Sequence, residues 1–234
     1  MPTAAHELAS VLDALSTRDA PQTAHAELAE QFDAVYRRAE GDPALIPWQR
    51  RGPNPPLVAW LNTDAHALVR PGACAVVVGC GLGDDVAEIA SRGYDVVGFD
   101  ICSSAIAWAK RRHPDLADAF LVADAVAPSN TLQRRFDLVV EIDTLQTLPV
   151  AMRADAAAGI ASLIRPHGTL LTICRGRDDD EPIDQSADPP YPLSPTELLT
   201  LMEANGLAPT RPLDDFFDDE DPPVRRLRAA LRHV

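Results

Sequence analysis

From residue 73 to residue 174 the sequence alternates between short apolar runs and segments whose apolar residues recur at helical spacing. The runs are almost continuously apolar, which is typical of parallel strands that helices cover on both faces. Such alternation predicts a doubly wound, Rossmann-like α/β fold with a mostly parallel sheet and helices on both faces. The predicted strands cover residues 74–78, 94–100, 119–124, 136–142 and 168–174, and the predicted helices cover residues 84–92, 103–112 and 150–164.

The segment before this core has a different pattern. Residues 4–40 carry apolar residues at helical spacing with a break at residues 19–21, which predicts two helices. Residues 41–61 contain five prolines, which favour extended and turn conformations until a short helix can begin near Pro55. We therefore assign residues 1–72 to N-terminal helices and a proline-rich lid.

The segment after the core begins with a polar, proline-rich loop at residues 175–193, which we expect to form a second lid. A helix is predicted at residues 195–204. Residues 207–218 and 224–234 predict a closing antiparallel hairpin, which makes the expected sheet seven-stranded. The last ten residues fit a helical face equally well, so strand and helix both stay open for them. Residues 73–234 are assigned to one α/β domain.

Charge and cysteine usage limit the partners of the chain. The formal net charge is −14, which opposes binding to nucleic acid or to an anionic membrane surface. The four cysteines lack the paired spacing of a zinc site or a disulfide framework. The sequence shows neither a signal peptide nor a transmembrane stretch. We expect a cytoplasmic protein that acts on a small molecule without a bound metal, and monomer and homodimer both stay open.

The glycine-rich stretch GCGLG follows the first predicted strand and opens the first predicted helix of the core. Gly79, Gly81 and Gly83 leave backbone N–H groups free at the sheet edge where open α/β folds bind ligands. A dinucleotide-binding turn has the pattern GxGxxG, and Asp84 here replaces its last glycine. A cofactor with a cationic amino-acid end suits Asp84 and Asp85 better than a pyrophosphate does. A purely structural turn is the alternative.

Acidic residues end the next three strands. Asp100 lies 21 residues beyond Gly79, close to the offset at which a carboxylate accepts hydrogen bonds from a ribose diol. Asp124 can accept a hydrogen bond from an adenine amino group, cap a helix or form a turn. Together these features predict an adenosine-containing cofactor. Glu141 and Asp143 can hold a cofactor ammonium or act as a general base, and Asp143 can equally cap a turn.

These motifs resemble those of class I S-adenosylmethionine-dependent methyltransferases over residues 73–174. The resemblance rests on GCGLGDD, GYDVVGFDIC, SSAIAWAKRR, VADA and FDLVVE. The flanking segments IPWQRRGPNPPL, DTLQTLPVAMR and DPPYPLSPTEL are similar to the thiopurine S-methyltransferase-like branch. Asp188 and Tyr191 differ from the glycine and phenylalanine that are usual in that branch, and Val77 replaces an acid found in many methyltransferases. The acceptor is therefore not implied.

The resemblance implies methyl transfer from S-adenosylmethionine to a sulfur, oxygen or nitrogen atom of a small aromatic or heterocyclic molecule, with S-adenosylhomocysteine as product. An NAD(P)-dependent oxidoreductase and a non-catalytic S-adenosylmethionine-binding protein are the alternatives. The predicted substrate-binding residues are Phe32, Tyr36, Arg175 and Tyr191, and Asp143 is the candidate base. The predicted cofactor-binding residues are Trp48, Gly79, Cys80, Gly81, Gly83, Asp84, Asp85, Asp100, Ile101, Asp124, Ala125 and Glu141.

Overall fold

A mixed β-sheet forms the centre of the structure, a computed structural model that describes residues 26–39, 41–186 and 188–234. Eight strands are present in these residues, in the order β3-β2-β1-β4-β5-β8-β6, with β7 paired to β8. The strands are β1 (Cys74–Val78), β2 (Asp95–Asp100), β3 (Phe120–Val122), β4 (Phe136–Ile142), β5 (Ile164–Arg175), β6 (Leu207–Pro209), β7 (Asp214–Phe217) and β8 (Arg225–His233).

Strands β1 to β5 are parallel, and β6, β7 and β8 are added by antiparallel pairing. From β1 the chain first builds outward through β2 and β3, and then returns to place β4 and β5 on the other side of β1. The strand order therefore reverses between β1 and β4. Open α/β sheets bind ligands at the carboxyl ends of the strands beside such a reversal.

The apolar runs of the parallel strands are buried on both faces. Val76 and Val139 pack in one core cluster with α6 and α7, whereas Val77 and Val140 pack in a second cluster with α2 and α4. Successive residues of a strand point to opposite faces, so a strand that is covered on both sides has to be apolar throughout. The helices are α1 (Ala26–Arg38), α2 (Pro55–Thr63), α3 (Ala65–Leu68), α4 (Asp84–Ser91), α5 (Ser103–Arg112), α6 (Val150–Ser162) and α7 (Pro195–Glu203).

Polar caps fix where two of these helices begin. The Asn54 side chain accepts a hydrogen bond from the Leu57 N–H at the start of α2, and the Ser194 hydroxyl accepts one from the Glu197 N–H at the start of α7. Both helices have proline in their first turn, where its missing N–H leaves no bond unmade. No helix in the described part of the chain is long and apolar enough to cross a membrane.

The predicted α/β fold is confirmed, with two corrections at the C-terminal end. The helical alternative for the last ten residues is wrong, because β8 is inserted in the sheet between β5 and β6. The expected count of seven strands is one too low. Pro209 and Pro212 interrupt the segment before β8, and its two halves pair with opposite ends of β8 as β6 and β7. The first of the two predicted N-terminal helices lies outside the described residues, and the second is α1.

Candidate active site

A cavity opens at the carboxyl edge of the sheet beside the reversal of strand order. Its walls come from α1, the segment from Trp48 to Asn54, the turn after β1, the ends of β2 and β3, and the turn after β4. Most of the predicted cofactor residues lie along it. Those lining the cavity are Trp48, Gly79, Cys80, Gly81, Gly83, Asp84, Asp85, Asp100, Ile101, Asp124 and Ala125.

The three glycines of the turn after β1 all have positive φ angles, between +52° and +86°. A Cβ atom on Gly79 would lie 2.3 Å from the Thr144 hydroxyl oxygen, and one on Gly83 would lie 2.6 Å from the Phe120 ring. These two glycines are therefore required by close packing as well as by backbone conformation. A Cβ on Gly81 would have the Tyr36 hydroxyl, at 3.2 Å, as its neighbour. The Gly81 backbone borders the open cavity.

Asp100 at the end of β2 is fixed across this turn. Its Oδ2 accepts a hydrogen bond from the Gly81 N–H at 3.0 Å, and its Oδ1 accepts one from the Cys102 N–H at 2.9 Å. Burial raises the pKa of the Asp100 carboxyl, and the two N–H donors oppose that rise. Each carboxylate oxygen can accept a further hydrogen bond. The side chain is thus an oriented acceptor on the cavity wall.

Asp124 follows β3 on the same side of the cavity and is 4% exposed. Its Oδ1 accepts a hydrogen bond from the Val126 N–H at 2.9 Å, which closes a local turn. The predicted turn-forming role is therefore present in the structure. Within the residues that the structure describes, Oδ2 has no hydrogen-bond donor and remains available to a ligand.

Asp84 and Asp85 attach the segment before α2 to the start of α4. Asp84 pairs with Arg112 at 3.0 Å and accepts a hydrogen bond from the Gln49 side chain at 2.8 Å. Asp85 accepts one from the Asn54 N–H at 2.6 Å. Burial raises the pKa of the Asp85 carboxyl to about 6. Both carboxylates thus have structural partners as well as a position on the cavity wall.

An aromatic cluster formed by Phe32, Tyr36 and Trp48 closes the outer side of the cavity. Trp48 packs edge-to-face against Phe32, with ring centroids 5.5 Å apart, and against Tyr36 at 5.7 Å. The Trp48 indole N–H donates a hydrogen bond to the Tyr36 hydroxyl at 3.0 Å. Trp48 remains 44% exposed, which places it at the mouth. All three residues are predicted ligand-binding residues, and the structure brings them together.

Glu141 is placed differently from the expectation that it binds the cofactor. It is fully buried and is not part of the cavity lining. Its Oε1 accepts hydrogen bonds from the N–H groups of Thr144 and Leu145, each at 2.9 Å, and its Oε2 accepts one from the Thr172 hydroxyl. Burial raises its pKa to about 7. Glu141 therefore holds the turn after β4 in shape.

Asp143 lies in that turn and lines the cavity. Its Oδ1 accepts a hydrogen bond from Arg226 Nη1 at 3.1 Å, and its Oδ2 lies 3.9 Å from Arg50. Burial raises the pKa of its carboxyl, whereas the arginines lower it. Sequence analysis missed Arg226, which lies 83 positions away in β8. The sequence gives no signal that singles it out, because β8 contains four arginines.

Two predicted substrate residues, Arg175 and Tyr191, do not line the cavity. The Arg175 N–H donates to the Gln146 side chain at 2.6 Å, and the Tyr191 N–H donates to the Gln146 carbonyl at 2.6 Å. Arg177 holds the same loop against the start of α7, through Glu197 at 2.9 Å. The loop is thus packed beside the sheet edge, and Gln146 connects it to the turn after β4.

Comparison with known proteins agrees with this geometry. Residues 75–168 match the family model described as "Methyltransferase domain". A probable thiol methyltransferase 2 of Arabidopsis thaliana is 30% identical over 161 residues, which are 67% of this chain and 66% of that protein. The demethylmenaquinone methyltransferase of Beutenbergia cavernae is 39% identical over 153 residues, which are 62% of this chain and 56% of that protein. The chain thus covers somewhat less than two thirds of these relatives.

Two solved structures share the fold. A Burkholderia thailandensis 1,6-didemethyltoxoflavin-N1-methyltransferase, solved with its substrate and S-adenosylhomocysteine, superposes with a TM-score of 0.67 over 93% of both chains, at 20% identity. A structure described for the conversion of a disulfide bond into a thioacetal group during echinomycin biosynthesis superposes with a TM-score of 0.69, at 22% identity, over 88% of this chain and 93% of that chain.

Proposed function

The chain belongs to the class I S-adenosylmethionine-dependent methyltransferases, and from this premise we propose that it methylates a sulfur, oxygen or nitrogen atom of a small aromatic or heterocyclic molecule. S-adenosylmethionine is the proposed donor and S-adenosylhomocysteine the product. The observation that carries the proposal is the position of Asp100, hydrogen-bonded to Gly81 on the wall of a cavity that Asp124 also lines.

The residues of the cavity suit this cofactor. Asp100 would accept hydrogen bonds from the ribose hydroxyls, and Asp124 Oδ2 would accept one from the adenine amino group. The absent side chain of Gly81 leaves backbone exposed to the ligand beside Asp100. Ile101 and Ala125 supply apolar surface next to the two acids. The acids of the cavity also suit a cofactor that carries a net positive charge.

When bound, the cofactor supplies an electrophilic methyl group on a sulfonium. The chain therefore has to bind and orient donor and acceptor and keep water away from them. The Phe32 and Trp48 rings provide an apolar wall for a flat acceptor at the mouth. Among the described residues, no histidine or lysine lines the cavity.

A sulfur acceptor fits these observations best. A thiolate attacks without losing a proton in the transfer step, so it needs no general base. The relatives named for thiol and thiocyanate methylation support this choice and the narrower resemblance to thiopurine S-methyltransferases. A phenol or an amine would lose its proton to Asp143 or to water.

The composition of the chain supports a cytoplasmic small-molecule enzyme. All four cysteines are buried and none forms a disulfide, which suits a reducing compartment. The net charge of −14 opposes nucleic acid as the methyl acceptor.

Two measurements test the proposal. Calorimetric titration should detect binding of S-adenosylhomocysteine and no binding of NAD or NADP. Mass spectrometry should then detect S-adenosylhomocysteine formation with at least one acceptor in a panel of aromatic thiols, phenols and heterocyclic amines, with thiols fastest. If the titration detects binding of NAD and no binding of S-adenosylhomocysteine, the proposed cofactor is contradicted. Binding without turnover on the whole panel would instead indicate a cofactor-binding protein.

A further inference from the structure

Arg226 of β8 is the buried centre of a charge cluster that also contains the buried Asp218 and the partly exposed Arg50, Asp143 and Glu220. The Arg226 side chain is 1% exposed and contacts Asp218 at 2.7 Å, Glu220 at 2.8 Å and Asp143 at 3.1 Å. Arg50 contacts Glu220 at 2.6 Å. A buried guanidinium needs such partners, because an unpaired charge inside a protein is strongly destabilising.

Asp143 is the member of this cluster that carries negative charge into the cavity. Asp218 and Glu220 belong to the connection between β7 and β8 and do not line the cavity. Arg50 and Asp143 do line it. Arg175, at the end of β5, acts on Asp143 as a third cation. Asp143 is nevertheless the only acid of this cluster, among the described residues, that a ligand in the cavity can reach.

The orientation of Asp143 is fixed at both its backbone and its side chain. Its φ angle is +61°, a left-handed conformation that aspartate adopts more readily than most residues. Its N–H donates to the Ile173 carbonyl at 2.9 Å, and Glu141 holds the next two N–H groups. Arg226 then fixes the carboxylate itself. A carboxylate held in this way can bind a cationic group of a ligand at a fixed position on the cavity wall.

The order of the strands indicates which part of the cofactor would meet Asp143. Asp100 and Asp124 follow β2 and β3, on one side of β1, and Asp143 follows β4 on the other side. If the adenosine lies against Asp100 and Asp124, the amino-acid end extends over β1 toward β4. This step rests on the proposed function.

We propose that Arg226 is a positioning residue, which holds Asp143 as an oriented carboxylate that binds the cofactor ammonium and does not act as a general base. A general base must give up its negative charge by taking a proton from the acceptor. Burial raises the pKa of Asp143 and favours its neutral form, whereas the arginines favour its charged form. A bound ammonium would add to the effect of the arginines and oppose proton uptake. A charge-assisted hydrogen bond to an ammonium uses the same carboxylate without any proton transfer.

The test compares two ligands, S-adenosylhomocysteine and 5′-methylthioadenosine, by calorimetric titration. Both contain the thioadenosine part, and the second lacks the amino-acid end. Asp143→Asn should weaken S-adenosylhomocysteine binding about tenfold or more, the effect of losing one charge-assisted hydrogen bond. The affinity for 5′-methylthioadenosine should change less than about twofold, because that ligand has no ammonium for the carboxylate to bind.

Arg226→Gln should cause the same ligand-selective loss, and Arg226→Lys should recover part of it, because lysine restores the charge without the two-pronged geometry. Arg225→Gln is the matched control. Arg225 is adjacent in β8 and pairs with Asp178 and Asp215 away from the cavity. Its loss disturbs the same hairpin and should leave the affinities for both ligands unchanged.

Each result bears on a different part of the proposal. If Asp143→Asn leaves the ratio of the two ligand affinities unchanged, the ammonium site is overturned. It is also overturned if Asp143→Asn binds S-adenosylhomocysteine normally but loses turnover at saturating cofactor, because that result would indicate a general base. If Arg226→Lys lowers the affinity for both ligands equally, the positioning role of Arg226 is overturned. Arg226→Lys provides this test even if Arg226→Gln does not fold. Failure of the unchanged protein to bind either ligand contradicts the proposed function instead.

Discussion

Asp33 of α1 accepts both hydrogen bonds that Ser104 offers at the start of α5, from its backbone N–H at 2.8 Å and from its hydroxyl at 2.9 Å. The residue in the usual capping position of α5, Cys102, makes no side-chain cap. Asp33 therefore caps α5 from a different helix. The same contact holds α1, and with it Phe32 and Tyr36, over the cavity.

We predict that Asp33→Ala lowers the free energy of unfolding by about 1 kcal/mol, as the loss of an N-terminal helix cap does. Urea unfolding measures this value. Glu30→Ala is the control, because Glu30 pairs with Arg37 on the exposed side of α1, and such a pair contributes less than about 1 kcal/mol. Equal effects of the two substitutions would show that Asp33 is no more than a surface charge.

The same substitution should also weaken S-adenosylhomocysteine binding, because α1 forms one wall of the cavity. Asp33→Asn keeps one oxygen acceptor for Ser104 and should retain most of the stability and affinity. If Asp33→Ala unfolds more easily and yet binds the ligand normally, α1 is not needed to close the site.

The core of the fold could be predicted because its information is local. In β1 and β4 every residue from Val76 to Val78 and from Leu138 to Val140 is buried, so a continuous apolar run identifies each strand. The glycine turn and Asp100 could be predicted for the same reason, since their spacing along the chain reflects the short path from one strand end to the next.

The charge cluster could not be predicted, because its members become neighbours only in the folded sheet. Nothing near Arg226 in the sequence indicates that it contacts Asp143 rather than solvent. The burial of Glu141 behind the cavity wall could not be predicted for a related reason. Its three donors come from the following turn and from β5, and this arrangement becomes visible only once β4 and β5 are paired.

We predict that Asp100→Asn weakens S-adenosylhomocysteine binding about tenfold or more. A hydrogen bond to a charged group contributes roughly 1.5–3 kcal/mol, and an amide offers one acceptor oxygen where the carboxylate offers two. Asp95→Asn, at the other end of β2, is the control and should bind normally. An unchanged dissociation constant in folded Asp100→Asn would mean that Asp100 does not contact the ribose.

A comparison of two glycines separates steric overlap from backbone strain. Gly83 and Gly93 have similar φ angles, +86° and +82°, but a Cβ on Gly83 would overlap the Phe120 ring, whereas one on Gly93 meets nothing within 4 Å. Gly93→Ala should cost about 1–2 kcal/mol of stability through strain alone. Gly83→Ala should cost roughly 1–3 kcal/mol more. If Gly83→Ala and Gly93→Ala unfold at the same urea concentration, the Phe120 ring moves aside at no measurable cost.

The buried carboxyl of Glu141 should make stability depend on pH. Its pKa is raised by burial from 4.5 to about 7, so the folded state binds this proton more tightly than the unfolded state does. The resulting stabilisation is fully present below pH 4.5 and is lost as pH rises through 7. Glu141→Gln cannot lose a proton, so its stability relative to the unchanged protein should rise by up to about 3 kcal/mol over that range. If the curves of unfolding free energy against pH were parallel for Glu141→Gln and the unchanged protein, the raised pKa of Glu141 would be contradicted.

Ligand binding should protect one of the two expected lids and not the other. Residues 42–56 contain five residues of the cavity wall, from Trp48 to Asn54, so a bound cofactor would contact them directly. The loop at residues 176–186 is instead held beside the sheet edge, where Arg177 donates hydrogen bonds to Glu197 and to the carbonyls of Asp178 and Glu181. We therefore expect S-adenosylhomocysteine to slow hydrogen exchange in residues 42–56 and to leave exchange in residues 176–186 unchanged.

Adding an acceptor tests the second lid separately, because closure over the acceptor would protect residues 176–186 only when the acceptor is present. Slower exchange in residues 176–186 with S-adenosylhomocysteine alone would show that these hydrogen bonds are exchanged for contacts over the cavity when the cofactor binds.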